Sequence, residues 1–202
     1  MSRWQPFDVA DSHSDPFVQF ATWYAEGSPL LPEPQAVSLS TASGNGRVSS
    51  RMVLLRHVGE GTFGWYTNYD SRKGRDLAEN PYAALLWWCE PLGRQIRIEG
   101  PVVKASAEQS DAYFASRHRG HQLGALASQQ SQAIASRDEL MARFDQFDAQ
   151  YANVPLERPG YWGGYLLSPQ VIEFWQQRDD RLHDRVVYER DGELWRRERR
   201  QP

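Results

Sequence analysis

Tyr82–Lys104 reads YAALLWWCEPLGRQIRIEGPVVK, and this stretch decides the fold. Tyr82 to Cys89 is almost wholly apolar, as expected of a strand buried on both faces. Pro91-Leu92-Gly93 then turns the chain, and Gln95 to Lys104 alternates between apolar and polar residues, the period of a half-buried strand. Upstream, Gln35 to Ala42 alternates in the same way, and Ser43-Gly44-Asn45-Gly46 is a hairpin turn. Val48 to His57 predicts one long strand, Gly59 to Thr62 a turn, and Phe63 to Asn68 another strand. Five strands at short spacing with tight turns predict an antiparallel barrel or sandwich.

The flanks add helices. Asp15 caps a short helix to Glu26, with Pro16 in its first turn and Gly27 at its end. Pro29, Pro32 and Pro34 then force an extended lead-in. Asp70-Ser71 caps a helix from Arg72 to Glu79, closed by Asn80-Pro81. Ser106 to Arg117 opens like a capping box. Ser136 to Tyr151 has Ser136 three residues before Glu139, with Leu140, Phe144 and Phe147 on one face. Asn153 to Gly160 reads as a proline-containing loop. Strands return at Trp162–Leu167, Val171–Gln176 and Arg185–Arg190, and Asp191-Gly192 turns the chain into Leu194–Arg199. The expected class is mainly β with α: residues 1–30 form an arm, polar and mobile over 1–13, plus a short helix, and 31–202 form one domain.

Composition narrows the function. The 202 residues carry 23 basic and 26 acidic side chains, a formal charge of −3. That balance suits neither a general nucleic-acid coat nor an anionic membrane surface. The single cysteine, Cys89, rules out a disulfide framework or a zinc site built on several thiolates. The start of the chain has no basic-then-apolar signal pattern, and no apolar run approaches membrane-spanning length. A cytoplasmic location is the expectation. Only Lys73 and Lys104 are lysines. The arginine excess fits a GC-rich genome, and also a chain that uses planar, bidentate anion contacts.

No serine sits in a nucleophile elbow, and Cys89 lies inside an apolar strand where it is inert. His118 and His121 have helical metal-pair spacing but no third ligand, so no metal is expected. Trp195–Arg200 looks basic, but the last 25 residues hold eight arginines against seven acids, which marks a solvated edge. Anion binding is the stronger theme. Arg51 and Arg56 bracket one strand. Ser71-Arg72-Lys73 opens a helix, where free amides and the dipole favour phosphate. Arg117, Arg119 and His121 form another cationic group, and Arg181, His183 and Arg185 alternate, facing one side if extended. Several such groups on an acidic chain suggest more than one phosphate.

Taken together, Arg51-Met-Val-Leu-Leu-Arg56, Tyr66-Thr-Asn68, Ser71-Arg-Lys73, Arg94-Gln95, Gln130-Ser131, Trp162-Gly-Gly164, Ile172-Glu-Phe-Trp175, Arg181-Leu-His-Asp-Arg185 and the final Gln201-Pro202 resemble the pyridoxine/pyridoxamine 5′-phosphate oxidase family. The resemblance runs from about Glu33 to Pro202. It implies an FMN-binding split β-barrel and a homodimer with FMN at the interface. It implies oxidation of pyridoxine and pyridoxamine 5′-phosphates to pyridoxal 5′-phosphate, with O2 as acceptor. The implied FMN contacts are Arg51, Met52, Val53, Leu54, Leu55, Arg56, Tyr66, Thr67, Arg72, Lys73, Gln95, Gln130, Ser131, Trp175 and Arg185. Arg56, Tyr113, Arg117 and His121 would meet the substrate's phosphate. Arg181, Leu182 and His183 would meet its ring, with Arg181 and His183 the catalytic pair.

The chain departs from the family pattern at four places. Arg56 stands where lysine is usual, His121 where serine is usual, and Gln129 where lysine is frequent. Gln176–Asp180 replaces a glycine-rich step. Two further readings therefore stay open: an FMN oxidase acting on another ring, as the phenazine-biosynthesis relatives do, and a non-catalytic module that holds FMN or pyridoxal phosphate.

Overall fold

A computed structural model describes residues 4–152 and 154–202. Helix α1 (Pro16–Gly27) is capped by the Asp15 carboxylate, which accepts the Phe17 N–H at 2.8 Å. Strands β1 (Ala36–Ala42) and β2 (Val48–Leu54) form the first hairpin. Its turn closes with the Gly46 N–H donating to the Ser43 carbonyl, and Gly46 has φ +81°, which a side chain would resist. Then come β3 (His57–Gly59), β4 (Thr62–Asn68), α2 (Arg72–Glu79), β5 (Tyr82–Cys89) and β6 (Arg94–Lys104). Three helices follow, α3 (Ala107–Ser116), α4 (Arg119–Ala127) and α5 (Arg137–Gln150). The chain ends in β7 (Trp162–Leu167), β8 (Val171–Gln176), β9 (Asp184–Asp191) and β10 (Leu194–Arg199).

Every strand pairing is antiparallel, and the main path runs β10-β9-β8-β6-β5-β1-β2. The long β6 serves two neighbours. Arg94–Glu99 pairs with β8, and Val102–Lys104 pairs with β7, which continues to β4 and β3. The change of partner falls at Gly100-Pro101. A Cβ on Gly100 would stand 2.1 Å from the Ser168 carbonyl oxygen, so only glycine lets the β7–β8 connection cross so closely. The sheet curls into a half-barrel, the α+β split-barrel architecture expected.

The concave side is the core. Leu39, Phe63, Trp65, Leu85, Trp87, Ile96, Ile98, Leu167, Phe174 and Tyr188 are buried there, closed by Phe20 and Trp23 of α1. A smaller cluster of Phe114, Leu123, Leu156 and Trp162 sits beneath the helices, with Phe144 and Phe147 of α5 packed on it. The other face of the main sheet is different. In register across it run Met52, Ser38, Leu86, Arg97, Glu173 and Val187, beside the row Trp88, Gln95, Trp175 and Arg185. Met52 is 63% exposed and Trp88 41%.

Four expectations are corrected. Val48–His57 is not one strand: it breaks at Leu55-Arg56. There the Leu55 N–H donates to the Gln35 carbonyl and the Arg56 N–H to the Gly64 carbonyl, so the chain changes sheets. The strand Tyr82–Cys89 is buried on one face only, with Tyr82 and Trp88 exposed on the other. Arg181, His183 and Arg185 do not alternate along one strand, because Asp179–Arg181 is a 3-10 turn and β9 begins at Asp184. Finally, the described part of the N-terminal arm is docked. The Phe7 ring packs on Trp23 at 4.7 Å and near Phe174 at 6.4 Å, its N–H donates to Asp184 Oδ2, and the Tyr188 hydroxyl donates to the His13 carbonyl. Of the loop read at Asn153–Gly160, Asn153 lies outside the described residues, and 154–160 carry no helix or strand.

Phe7→Ala should therefore destabilise the protein by about 3 kcal/mol, the usual cost of removing a buried aromatic ring. Denaturant unfolding at fixed protein concentration checks this, and an unchanged midpoint would mean the arm does not hold its place.

Candidate active site

A cavity of about 310 Å³ opens between β2, β4, α3 and the loop after α4. Ser71 caps α2, its hydroxyl accepting the Gly74 N–H, and this cap aims the first turn inward. Lys73 is buried there. Its Nζ donates to Thr67 Oγ1 at 2.8 Å, Ser71 Oγ at 3.1 Å and Gln130 Oε1 at 2.7 Å. All three partners are neutral. Burial, and secondarily the nearby Arg51 guanidinium, pull the Lys73 ammonium down to about 8. Arg51 is itself fixed from behind, donating to Thr41 Oγ1 at 2.8 Å and standing 3.9 Å from the buried Asp76, which takes the Thr41 hydroxyl. A buried ammonium with no carboxylate against it fits an incoming anion.

Across the cavity Tyr66, Tyr113 and Trp162 form a stack, Tyr66 on Tyr113 at 3.8 Å and on Trp162 at 5.8 Å. Close packing around the stack explains Trp162-Gly163-Gly164. A Cβ on Gly163 would meet the Tyr69 hydroxyl at 2.1 Å, and one on Gly164 the Tyr66 ring at 2.9 Å. Arg117 lies over the Trp162 ring at 4.6 Å. Its Nη1 is buried without a protein partner, and burial, together with Arg56 nearby, lowers its pKa. This second cation, with an unpaired buried nitrogen, also fits an anion. Met52, Val53, Leu54 and Arg56 complete the wall.

The remaining sequence-predicted residues divide into three groups. Leu55 is buried in the core behind the strand break. Arg72, Ser131 and His121 are exposed and do not line the cavity. Ser131 takes φ +70°, and the His121 ring stands edge-on to His118 at 5.7 Å. Arg119, read beside them, is engaged by α5 and the loop after it, through the Tyr151 carbonyl and Asp148.

The third group is Gln95, Trp175, Arg181, Leu182, His183 and Arg185. Gln95, Trp175 and Arg185 are half-buried register neighbours on the sheet face away from the core. The His183 ring packs on Trp175 at 4.4 Å. Arg185 is held by Glu173 through Nε at 3.0 Å and Nη2 at 2.8 Å, a bidentate pair that raises the arginine further. Asp180 and Arg181 both have positive φ, +55° and +61°. Among the described residues Arg181 makes no ion pair. This group does not touch the cavity. Five interstrand steps separate β2 from β9 on the sheet path, or roughly 24 Å along the sheet. On one chain the predicted residues thus fall into two separate groups.

Sequence reading missed Glu173 and Asp76, the buried carboxylates that orient Arg185 and Arg51. The signal for Glu173 was a lone acid inside Ile172-Glu-Phe-Trp175. It also missed α4, whose Gly120 and Gly124 weaken the helical signal and whose N-cap, His118, makes no side-chain cap. Among the described residues, no group of three or more His, Cys, Asp or Glu could hold a metal, and no helix is long and apolar enough to cross a membrane.

The Lys73 environment predicts a pH effect. A bound phosphate would raise the ammonium above its free value near 8. Phosphate affinity from this group should thus be complete below pH 8 and fall as pH rises through 8 towards the bound value, by up to about tenfold per unit. Titrating apoprotein with FMN by flavin fluorescence at pH 7, 8, 9 and 9.5 tests it. Equal affinity at all four would contradict a charged Lys73 contact.

Comparison with known proteins follows the same lines. A family model described as pyridoxamine 5′-phosphate oxidase matches residues 25–151, and one described as the pyridoxine 5′-phosphate oxidase C-terminal dimerisation region matches 162–202. The chain is 52% identical over 187 residues to a pyridoxine/pyridoxamine 5′-phosphate oxidase of Paraburkholderia phytofirmans, covering 92% of this chain and 87% of the relative. It is 47% identical over 201 residues to the Acaryochloris marina protein of the same name, covering 99% and 92%. Among solved structures it matches PhzG from Burkholderia lata in complex with tetrahydrophenazine-1-carboxylic acid. That match has TM-score 0.91 and 33% identity, over 98% of this chain and 99% of the other. A pyridoxamine 5′-phosphate oxidase-related, FMN binding protein from Nostoc punctiforme shares the fold, with TM-score 0.77 and 18% identity over 93% and 98%.

Proposed function

The chain belongs to the pyridoxamine 5′-phosphate oxidase family, and on that premise we propose that it is an FMN-dependent oxidase converting pyridoxine and pyridoxamine 5′-phosphates to pyridoxal 5′-phosphate. The observation that carries the reading is a pair of cations in one cavity: Lys73, buried with only neutral partners, and the half-buried Arg117, whose Nη1 has no protein partner. Two phosphorylated molecules need two cationic contacts, and this cavity is lined by both Lys73 and Arg117. Lys73, with Arg72 at the same helix start, would take the phosphate of FMN. Arg51 to Leu54 and Tyr66 would border its ring system, and Thr67 and Gln130 would keep Lys73 aimed. Arg117, Tyr113 and Arg56 would take the substrate's phosphate. His121 is exposed outside the cavity walls, so its difference from the family's serine leaves that wall intact.

The protein acts as a homodimer in this reading. The Trp88, Gln95, Trp175 and Arg185 face is left partly exposed by the single chain, and a second copy covering it would bring Arg181 and His183 over the partner's cavity. FMN would then sit between the copies. FMN held here would supply the two-electron acceptor for the hydride of the substrate's 4′ carbon, and the two electrons, with that hydrogen and the proton lost from the substrate's hydroxyl or amine, would end on O2 as H2O2. Arg181 holds the pyridine ring in line and stabilises charge developing on it. His183 bonds the ring substituents. With the amine substrate the product imine is hydrolysed by water, releasing ammonia. The protein's contribution is orientation and electrostatics at a site with little other machinery.

The test is aerobic turnover of pyridoxine 5′-phosphate by the FMN-loaded protein, following aldehyde and peroxide together. Turnover of the phosphate ester, with unphosphorylated pyridoxine a poor substrate, is expected. A yellow, FMN-bound protein inert on both phosphate esters would contradict the reading, and would favour a ring of the kind bound by the Burkholderia lata relative.

A further inference from the structure

His183 has one ring nitrogen already committed. The backbone N–H of Arg178 donates to His183 Nδ1 at 3.1 Å. A nitrogen that accepts a hydrogen bond carries no proton, so the neutral ring must hold its proton on Nε2. The ring is also fixed in tilt by the Trp175 face at 4.4 Å.

The amide that sets this tautomer is itself held. Arg178 Nη1 donates to the Trp4 carbonyl at 3.0 Å, and its Nε stands 3.5 Å from Asp184 Oδ2. Asp184 is buried, and it receives the Phe7 N–H at 3.1 Å and a guanidinium N–H of Arg199. Arg199 also reaches Asp8 at 2.7 Å. The N-terminal arm, the loop before β9 and the last strand therefore meet at Arg178 and Asp184. Arg178 falls within the stretch Gln176–Asp180, where this chain departs from its family's glycine-rich step. A glycine there would offer the amide but no side chain to tether it.

We propose that Arg178 is a positioning residue: its side chain ties the loop to the N-terminal arm, and its backbone amide thereby locks His183 as the Nε2–H tautomer. His183 then meets the substrate ring as a hydrogen-bond donor through Nε2 and does not accept a proton there. This rests on the placement of His183 against the ring substituents proposed above. The lock itself is a property of the free holoenzyme and can be read without substrate.

The experiment uses the full-length, FMN-loaded dimer with ¹⁵N-labelled histidine. Long-range ¹H–¹⁵N correlation reports which ring nitrogen bears the proton, and His183→Gln identifies the signal by its loss. For the native protein the expected pattern at neutral pH is a protonated Nε2 and a bare Nδ1. For Arg178→Ala the expected result is a mixture of both tautomers. Its kcat for pyridoxine 5′-phosphate should fall about tenfold, with KM and flavin content within about twofold of native. A protonated Nδ1 in the native protein would overturn the proposal, as would Arg178→Ala keeping the native tautomer and native kcat. If the native protein shows the Nε2–H pattern but no turnover, the functional reading fails and the lock stands.

Discussion

Arg181→Ala is expected to reduce turnover at least about a hundredfold while the purified protein stays yellow, because the role proposed for this residue is to orient and polarise the substrate and not to hold the cofactor. The structure separates those duties. Arg185 is spoken for by Glu173 and by the Gln201 carbonyl at 2.7 Å, and Arg178 by Trp4 and Asp184. Arg181 alone of the three has no ion pair among the described residues, and it stands on a turn with positive φ at itself and at Asp180. Non-glycine residues held at positive φ cost of order 1–3 kcal/mol each, and such strain gathers where function needs a side chain in one place. Loss of the side chain leaves the sheet, the Trp175–His183 contact and the cavity unaltered. The checks are steady-state kinetics beside flavin absorbance. Native kcat in the alanine variant would remove Arg181 from the chemistry.

The second large effect concerns Lys73→Met. Methionine keeps the bulk of the lysine stem and removes the charge together with its three N–H donors. FMN affinity should fall by about a hundredfold or more, since deleting one partner of a buried, hydrogen-bonded charge contact costs roughly 2–5 kcal/mol. The apoprotein should hold its stability or gain a little, because the native ammonium is buried among three neutral oxygens with no carboxylate to offset its desolvation. Equilibrium titration with FMN and thermal unfolding of the apoprotein measure the two halves. Weak FMN binding coupled to an unstable apoprotein would recast Lys73 as a structural residue.

Much of this was legible in the sequence because it is local. The hairpin at Ser43–Gly46 and the caps at Asp15, Ser71, Ser106 and Ser136 are written in a few adjacent residues, and the structure has them. What was not legible depends on contacts far along the chain. Leu55-Arg56 breaks a strand because two different sheets claim its neighbours, and no residue there announces it. Phe7 is one of two aromatics, with Trp4, in a largely polar arm, and only Trp23, Phe174 and Asp184 make it a core residue. Lys73 and Arg117 could be named from the motifs, but the burial of Lys73 among neutral partners and the unpaired Nη1 of Arg117 could not. The division of the site into two groups on one chain is a matter of sheet order, which spacing does not encode.

The central claim, that two half-sites on different copies make one catalytic site, is tested most directly by mixing two inactive variants. Lys73→Met spoils one half-site and Arg181→Ala the other. The two chains are unfolded together, refolded with FMN at equal amounts, and assayed aerobically with pyridoxine 5′-phosphate. If the half-sites pair across the dimer, each mixed dimer has one intact site. Activity should then return to about a quarter of native, the share expected for random pairing in a two-fold dimer. Activity no higher than that of either variant alone, in a preparation where mixed dimers are demonstrated, would contradict the account.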